Sequence, residues 1–263
     1  MSNARNMGKL IMADWSKYPM NDEVNWPKNE KIIGVLGLGP VSTMDFCSRL
    51  IHRPMKKDWH YPRIIIDVNS KIPSRGRYLD LNETDPAPFI RDGIEKLQKM
   101  GADFVAVPCN TAHILYDRFV ADLSVPVPHI ADITAVSLLE KGYSSPLVLC
   151  TKMTRDYRLY ESTFSRFGLP VRHFPEQGLI TEAIYAVKQS GDTNKVRHSI
   201  LQAIERVSGI DVVILGCTEL GHIIHANEEI RIPVVDSNHA LADFCIEYSN
   251  REDIDSNIRV KAD

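Results

Sequence analysis

Val105-Ala-Val-Pro-Cys109-Asn110-Thr111-Ala112-His113 is a short apolar run that delivers a cysteine to the start of a helix, and Val212-Val-Ile-Leu-Gly-Cys217-Thr218-Glu219-Leu220 repeats the arrangement 108 positions later. Each run is β-branched and bounded by Pro or Gly, which reads as a buried strand. Each cysteine is followed within two residues by threonine, a residue that opens helices. Two thiols at two strand-to-helix switches organise the reading of the chain.

Working outward, the same unit recurs. Lys31 to Leu36 reads as a strand, broken by Gly37-Leu-Gly-Pro40, with Ser42 or Thr43 capping a helix to about Arg53. Arg63 to Val68 is a second strand, and Asn69 to Arg77 a polar, basic loop. Pro86 to Met100 is a helix with Ile90, Ile94 and Leu97 on one face, and Asp103 to Val107 is the strand that leads into Cys109. A helix from Thr111 to about Leu123, a short strand from Val127 and a helix from Ala131 to Lys141 follow.

The alternation then restarts. Pro146 to Cys150 is a strand, Thr151 and Thr154 open a helix to Arg166, and Val171 to Phe174 is extended. Helices at Leu179–Gln189 and Lys195–Val207 precede the strand Asp211–Leu215, Cys217 and a helix from Glu219. Ile232 to Asp236 is the last strand and His239 to Tyr248 the last helix. The pattern predicts an α/β fold of two similar parallel-sheet lobes in pseudo-twofold relation. The predicted limits are an extension over 1–30, a first lobe over 31–136 plus 235–250, a second over 137–234, and a polar tail over 251–263. Ligands of such sheets collect at the C-terminal ends of the strands, so the site belongs in the cleft between the lobes.

Composition narrows the function. Of 263 residues 44% are hydrophobic and 25% charged, ordinary for a globular enzyme or binding protein. A net charge of −3 gives no basic footprint for nucleic acid. The five cysteines (47, 109, 150, 217 and 245) are far apart with no C-x-x-C pair, which argues against a zinc ribbon or redox motif and for free thiols in a reducing cytoplasm. No apolar run approaches the roughly 18 residues of a membrane span, and the polar first 30 residues lack a signal-peptide core.

A helix N-terminus favours the thiolate, because its unpaired amides and dipole stabilise negative charge. The same amides bind carboxylates, and Asn110, Thr111 and Thr218 add donors beside the thiols. One such thiol suggests covalent catalysis or decarboxylation. Two facing thiols suggest proton removal from one face of a carbon and return to the other, the chemistry of a two-base racemase or epimerase. For Cys47, Cys150 and Cys245 the ordinary reading, a small buried hydrophobe, stands.

On these residues the chain resembles the aspartate/glutamate racemase family of cofactor-independent amino-acid racemases. Pro108-Cys-Asn-Thr-Ala-His113 and Gly216-Cys-Thr-Glu219 resemble its two catalytic-cysteine motifs. Gly34 to Thr43 resembles its opening Gly-rich turn, Ile72-Pro-Ser-Arg75 its Ile-Pro-Asp-Arg loop, and Ile184-Tyr-Ala-Val-Lys188 its Ile-Tyr-x-x-Val-Lys segment. The likeness runs from about Lys31 to Tyr248 in the same order.

The resemblance implies that Cys109 and Cys217 are the opposed acid and base, and that Asn110, Thr111 and Thr218 hold the α-carboxylate. It implies that Arg75 and Lys188 meet the side-chain carboxylate of an acidic substrate, that Asn69 lines the pocket and that the Thr151 turn faces the ligand. It further implies a small amino-acid substrate, aspartate or glutamate first, with no metal, no pyridoxal phosphate, and a homodimer. Leu38, Ser74 and Lys152-Met153 depart from the family pattern and bear on substrate identity more than on reaction type. Read alone, Arg75 and Lys188 fit solvated surface cations better than substrate contacts, His113 fits a residue that orients its loop, Asp236 and His239 fit a turn and cap, and Glu219 fits either a helper of Cys217 or a helix-start acid. A broad-specificity racemase, a related carboxylate isomerase and an inactive carboxylate binder are the alternatives.

Overall fold

Asp103 and Asp211 perform the same task 108 residues apart. The Asp103 carboxylate accepts from the Ile32 N–H at 2.6 Å, while its own N–H donates to the Ile32 carbonyl at 2.9 Å. Asp211 accepts from the N–H groups of Ser144 (2.6 Å) and Ser145 (2.9 Å) and donates to the Ser145 carbonyl at 3.1 Å. Each aspartate thereby ties the start of its lobe's cysteine strand to the start of that lobe's first strand. The structure, a computed structural model, describes residues 30–52, 57–189, 191–224, 230–250 and 259–261.

The first sheet has the order β2-β1-β3, built from β1 (Ile33–Gly37), β2 (Ile64–Val68) and β3 (Phe104–Ala106), all parallel. The short β4 (Val127–Pro128) continues it, since the Val105 N–H donates to the Pro126 carbonyl at 2.9 Å. The second sheet has the order β6-β5-β7-β8, from β5 (Pro146–Cys150), β6 (Arg172–His173), β7 (Val212–Gly216) and β8 (Val234–Asp236), again parallel. Its equivalent bond runs from the Val213 N–H to the Pro233 carbonyl at 2.8 Å. The two sheets therefore match strand for strand, as two α/β lobes. β1, β5 and β7 are buried along their whole length, which is why they read as unbroken apolar runs.

In the first half the helices are α1 (Pro40–Leu50), α2 (Arg75–Leu81), α3 (Ala87–Lys99), α4 (Tyr116–Val120) and α5 (Ile130–Glu140). In the second they are α6 (Lys152–Asp156), α7 (Leu159–Phe164), α8 (Gln177–Lys188), α9 (Asn194–Glu205) and α10 (Ser237–Ser249). Ile90, Ile94 and Leu97 of α3 are fully buried against the first sheet. At about 1.5–3 kcal/mol for each fully buried apolar side chain, that face rather than intrinsic propensity holds the helix. Gly37 lets α1 come down on the end of β1, because a Cβ there would overlap the Thr43 side chain. The Thr43 hydroxyl donates to the Gly39 carbonyl at 2.6 Å and fastens the turn.

α5 and α10 join the halves. Ile130 and Ile133 of α5 pack in the first core, whereas Ala131, Ala135 and Leu138 pack in the second. α10 leaves the second sheet at β8 and returns its Leu241, Ala242 and Cys245 to the first core.

Several local expectations are corrected. The polar stretch expected to be a loop through Arg77 contains the start of α2, with Ser74 as its cap accepting from the Arg77 N–H at 3.3 Å. The expected helix from Thr151 is broken at Arg158, whose φ of 56° is left-handed, so it forms α6 and α7. The segments after both cysteines open as 3₁₀ turns, at Asn110–Leu115 and Thr218–His222.

Residues 1–29 of the expected extension, and 251–258 with 262–263 of the expected tail, lie outside the described residues. Nothing in the sequence signals what the described part of the tail does. β9 (Val260–Lys261) pairs antiparallel with β4, and the Arg259 guanidinium lies on the fully buried Asp132 carboxylate at 3.0 Å. It also donates to the Thr163 hydroxyl of α7 at 3.2 Å. Burial alone would raise the Asp132 pKa, but the His129 and Arg259 hydrogen bonds outweigh it and hold the group well below the usual carboxylate range.

Candidate active site

Cys109 and Cys217 occupy equivalent places, one residue before a 3₁₀ turn at the C-terminal edge of each sheet. Both have extended backbone (φ −157°, ψ 105° and φ −145°, ψ 126°), and each carbonyl accepts from the N–H three residues on, at 3.1 Å from Ala112 and 3.0 Å from Leu220. Cys109 is half-buried and Cys217 buried. The two thiols lie within electrostatic reach of each other, Cys109 being one of the groups that raise the Cys217 pKa.

The surroundings of Cys217 correct one expectation. A helix start was expected to favour the thiolate. Instead burial, then the charge of Glu219 and its hydrogen bond, push the Cys217 thiol well above its ordinary value. A five-residue 3₁₀ turn offers little dipole to oppose this, although the Glu219 N–H bond to the sulfur acts in the lowering direction. The thiol donates to Glu219 Oε2 at 3.1 Å, and the Thr218 hydroxyl donates to the same oxygen at 3.1 Å. The Lys188 ammonium lies 3.4 Å from Oε1. Burial works to raise the Glu219 pKa, but the Lys188 charge and the Cys217 and Thr218 hydrogen bonds leave it below the usual carboxylate value.

The residues beside Cys109 are tied into a polar seam between the lobes. The Asn110 amide donates to the Ser237 hydroxyl at 2.9 Å, Ser237 donates to the Leu215 carbonyl at 2.8 Å, and the Tyr160 hydroxyl donates to Asn110 Oδ1 at 2.7 Å. The Thr111, Thr151 and Thr154 hydroxyls form a triangle with edges of 3.1, 3.2 and 2.9 Å. Thr111 comes from the first half and the other two from the second, so this cluster also crosses the cleft.

His113 is fully buried behind this turn, and its Nε2–H donates to the Val107 carbonyl at 3.1 Å. Burial, then the neighbouring His129, push it well below the ordinary histidine value, so it is neutral and orients the end of the Cys109 strand.

Arg75 is the first residue of α2 and donates from Nη1 to the Pro73 carbonyl at 3.3 Å, while its buried Nε has no partner among the described residues. Asn69 serves the turn after β2, its Oδ1 accepting from the Lys71 N–H at 3.1 Å and its N–H donating to the Gly37 carbonyl at 2.8 Å. The Tyr157 hydroxyl donates to the Leu79 carbonyl at 3.0 Å, joining the α6–α7 link to α2. Leu38 is buried in the first core, Lys152 is exposed and pairs with Asp156 at 2.6 Å, and Met153 is buried.

The structure thus brings Cys109, Asn110, Thr111 and Thr151 to one face and Cys217, Thr218 and Lys188 to another, with Asn69 and Arg75 on the β2–α2 connection. Sequence reasoning missed Tyr160 and Ser237. Tyr160 reads as one more aromatic on a helix face, and only the closeness of Gly216 hints at its place, since a Cβ there would come within 2.8 Å of the Tyr160 ring. Among the described residues no group of three or more His, Cys, Asp or Glu side chains is arranged to hold a metal ion.

Comparison with known proteins agrees with this geometry. The profile of the Asp/Glu/hydantoin racemase family matches residues 35–245. The chain is 32% identical to the broad-specificity amino-acid racemase RacX of Bacillus subtilis (strain 168) over 220 residues, 80% of this chain and 95% of that protein. The aspartate racemase of Picrophilus torridus superposes with a TM-score of 0.76 at 29% identity, covering 88% of this chain and 96% of that one. An aspartate racemase homologue from Pyrococcus horikoshii OT3 superposes at 0.71 with 26% identity, covering 84% and 100%. With the profile spanning both cysteine turns and the β2–α2 connection of the first lobe, the chain belongs to the Asp/Glu/hydantoin racemase family.

Proposed function

We propose that this protein inverts the α-carbon of an amino acid by a two-thiol mechanism, with aspartate or glutamate as the first candidates. The observation that carries the reading is the equivalence of Cys109 and Cys217, at matching turns of two matched sheets and within electrostatic reach of each other. One sulfur, as thiolate, takes the α-proton. The C–H electron pair passes into the substrate carboxylate, and the opposite thiol returns a proton to the other face. The enolate-like charge is held by the early N–H groups of the two 3₁₀ turns together with the Thr111, Thr151 and Thr218 hydroxyls. Asn110, with both ends of its side chain engaged in the seam, contributes its backbone N–H and fixes the turn. Arg75, whose Nε is buried without a partner among the described residues, is the candidate contact for a substrate side-chain carboxylate, with Asn69 at the other end of the β2–α2 connection.

A second reading, broader specificity, is favoured by one observation. Lys188 is already paired with Glu219, which leaves one fewer cation to demand an acidic side chain. The B. subtilis relative carries that specificity in its name.

The partner surface we infer is a second copy of the chain. β2 is the outer strand of its sheet among the described residues, with Ile66 and Val68 exposed, as are Val41 and Met44 of α1 and Ile51 just after it. A twofold antiparallel pairing centred on Ile65 would set Arg63 against the partner copy's Asp67 twice. Free thiols at all five cysteines favour a cytoplasmic location. Among the described residues no helix is long and apolar enough to cross a membrane.

The deciding experiment incubates enantiopure amino acids with the protein in deuterated water. Deuterium at the α-carbon with loss of optical activity is expected. Saturable binding with no exchange for any amino acid would instead identify a carboxylate binder.

A further inference from the structure

A cavity of about 150 Å³ lies where the 3₁₀ turn after Cys109 and the start of α4 meet α7 and the C-terminal segment. Neither thiol and none of the candidate substrate contacts lines it. His113 and His129, both buried, line its inner part, while Asp117, Tyr157 and Ser162 are exposed. Arg259 reaches it from the tail, beyond the residues 35–245 that the family profile matches.

Two of these groups have bonding capacity left over. His113 spends its Nε2–H on the Val107 carbonyl at 3.1 Å, so Nδ1 of the neutral ring is a bare acceptor. That atom is buried with no partner among the described residues. Arg259 spends Nε and Nη2 on Asp132, His129 and Thr163, and its Nη1 makes no hydrogen bond among the described residues. The two groups flank the His129 ring. That ring packs edge-on against His113 with centroids 4.9 Å apart, and its Nε2 accepts from Arg259 Nη2 at 2.8 Å. The Tyr157 and Ser162 hydroxyls already donate to the Leu79 and Leu159 carbonyls, each at 3.0 Å.

The cavity therefore offers one cationic donor, one neutral acceptor and, at Asp117, one carboxylate. A simple anion would satisfy Arg259 but leave His113 Nδ1 bare and face Asp117. A simple cation would satisfy His113 and Asp117 but face Arg259. A molecule carrying a carboxylate and an ammonium a few bonds apart answers all three. We infer that this cavity is a second amino-acid site, separate from the cleft, in which Arg259 Nη1 meets the α-carboxylate while His113 Nδ1 and Asp117 take the α-ammonium. A cavity of about 150 Å³ holds a ligand of about six heavy atoms, the size of glycine or alanine. The site uses neither thiol, so it stands independently of the two-thiol reading.

The test is calorimetric titration of glycine and L-alanine into the full-length wild type, Asp117→Asn and Ser162→Trp, each checked for native circular dichroism. Ser162→Trp fills the cavity from its exposed side and leaves both thiols in place. Expected is a saturable binding event that Ser162→Trp abolishes and Asp117→Asn weakens about 10-fold, the effect of one lost bond to a charged group. Propionate and ethylamine, which each keep half of alanine's charges, should bind at least about 10-fold more weakly than alanine for the same reason. Binding that is intact in both variants would place the amino acid in the cleft and overturn the proposal. Propionate binding as tightly as alanine would make the cavity a plain anion site, and no saturation by either amino acid would leave it to water; both results overturn it too. Exchange of the α-proton in deuterated water reads the cleft separately, so failure of the racemase reading and failure of this site are told apart.

Discussion

The hydroxyl of Tyr160, on α7 of the second half, donates to the side-chain oxygen of Asn110, the residue after Cys109 in the first, at 2.7 Å. Both residues are buried, and the bond sets the position of the Cys109 turn from the second half of the chain. Tyr160→Phe leaves Asn110 Oδ1 buried without a partner, at a cost of about 1–3 kcal/mol. Urea unfolding should show that loss, and α-proton exchange should fall with it. Unchanged stability would mean that water or a neighbour satisfies the oxygen.

Cys109→Ser and Cys217→Ser should each lower racemisation by about 100- to 10,000-fold, the range for a lost general acid or base. Folding should be preserved, because serine keeps the side-chain shape and replaces sulfur with a smaller oxygen that overpacks nothing. Near-normal turnover of both enantiomers in either variant, followed by polarimetry, would rule out a two-base mechanism.

Asp236 should make the fold pH-sensitive. Burial, eased only in part by His239 and two backbone N–H groups, raises its pKa from 3.8 to about 6, and its Oδ2 lies against Gly221 without a hydrogen-bond partner among the described residues. The folded chain therefore holds this proton more tightly than the unfolded chain does. The stabilisation is full below the unfolded pKa and is lost as pH rises through the folded one. At ~1.4 kcal/mol per unit, the loss between pH 4 and 7 is about 3 kcal/mol. Asp236→Asn, which can still cap α10, should flatten that slope in denaturant titrations across this pH range.

Ile66→Lys should convert a dimer to a monomer. The substitution puts a charge at the centre of the exposed β2 edge without touching either core. Light scattering reads the mass directly. A wild-type monomer, or a dimer that survives the change, would remove β2 from the interface.

Much of the fold is legible in the chain because buried parallel strands are continuous apolar runs. Val212 to Gly216 and Pro146 to Cys150 could hardly be anything else. The α2 helix was hidden because it is only seven residues long and none of them is fully buried, so Tyr78, Leu79 and Leu81 make no sustained apolar periodicity. β9 was hidden for a related reason. Two residues carry no pattern, and β9 is a strand only because β4 offers it an edge.

The sequence by itself determined the two cysteine turns and their pairing. A strand that ends in Cys and a following Thr are local chemistry, and local chemistry survives without coordinates. It also determined the reaction class, since two such turns in two like halves leave few other uses for the thiols. Only the tertiary structure decided what each polar group is paired with. Asn110 belongs to Tyr160 and Ser237, and Lys188 to Glu219, through contacts made across elements far apart in the chain. The tertiary structure also reversed the expected electrostatics of Cys217. The expectation weighed only the backbone of its own turn, whereas burial and the Glu219 carboxylate, both products of folding, set the outcome.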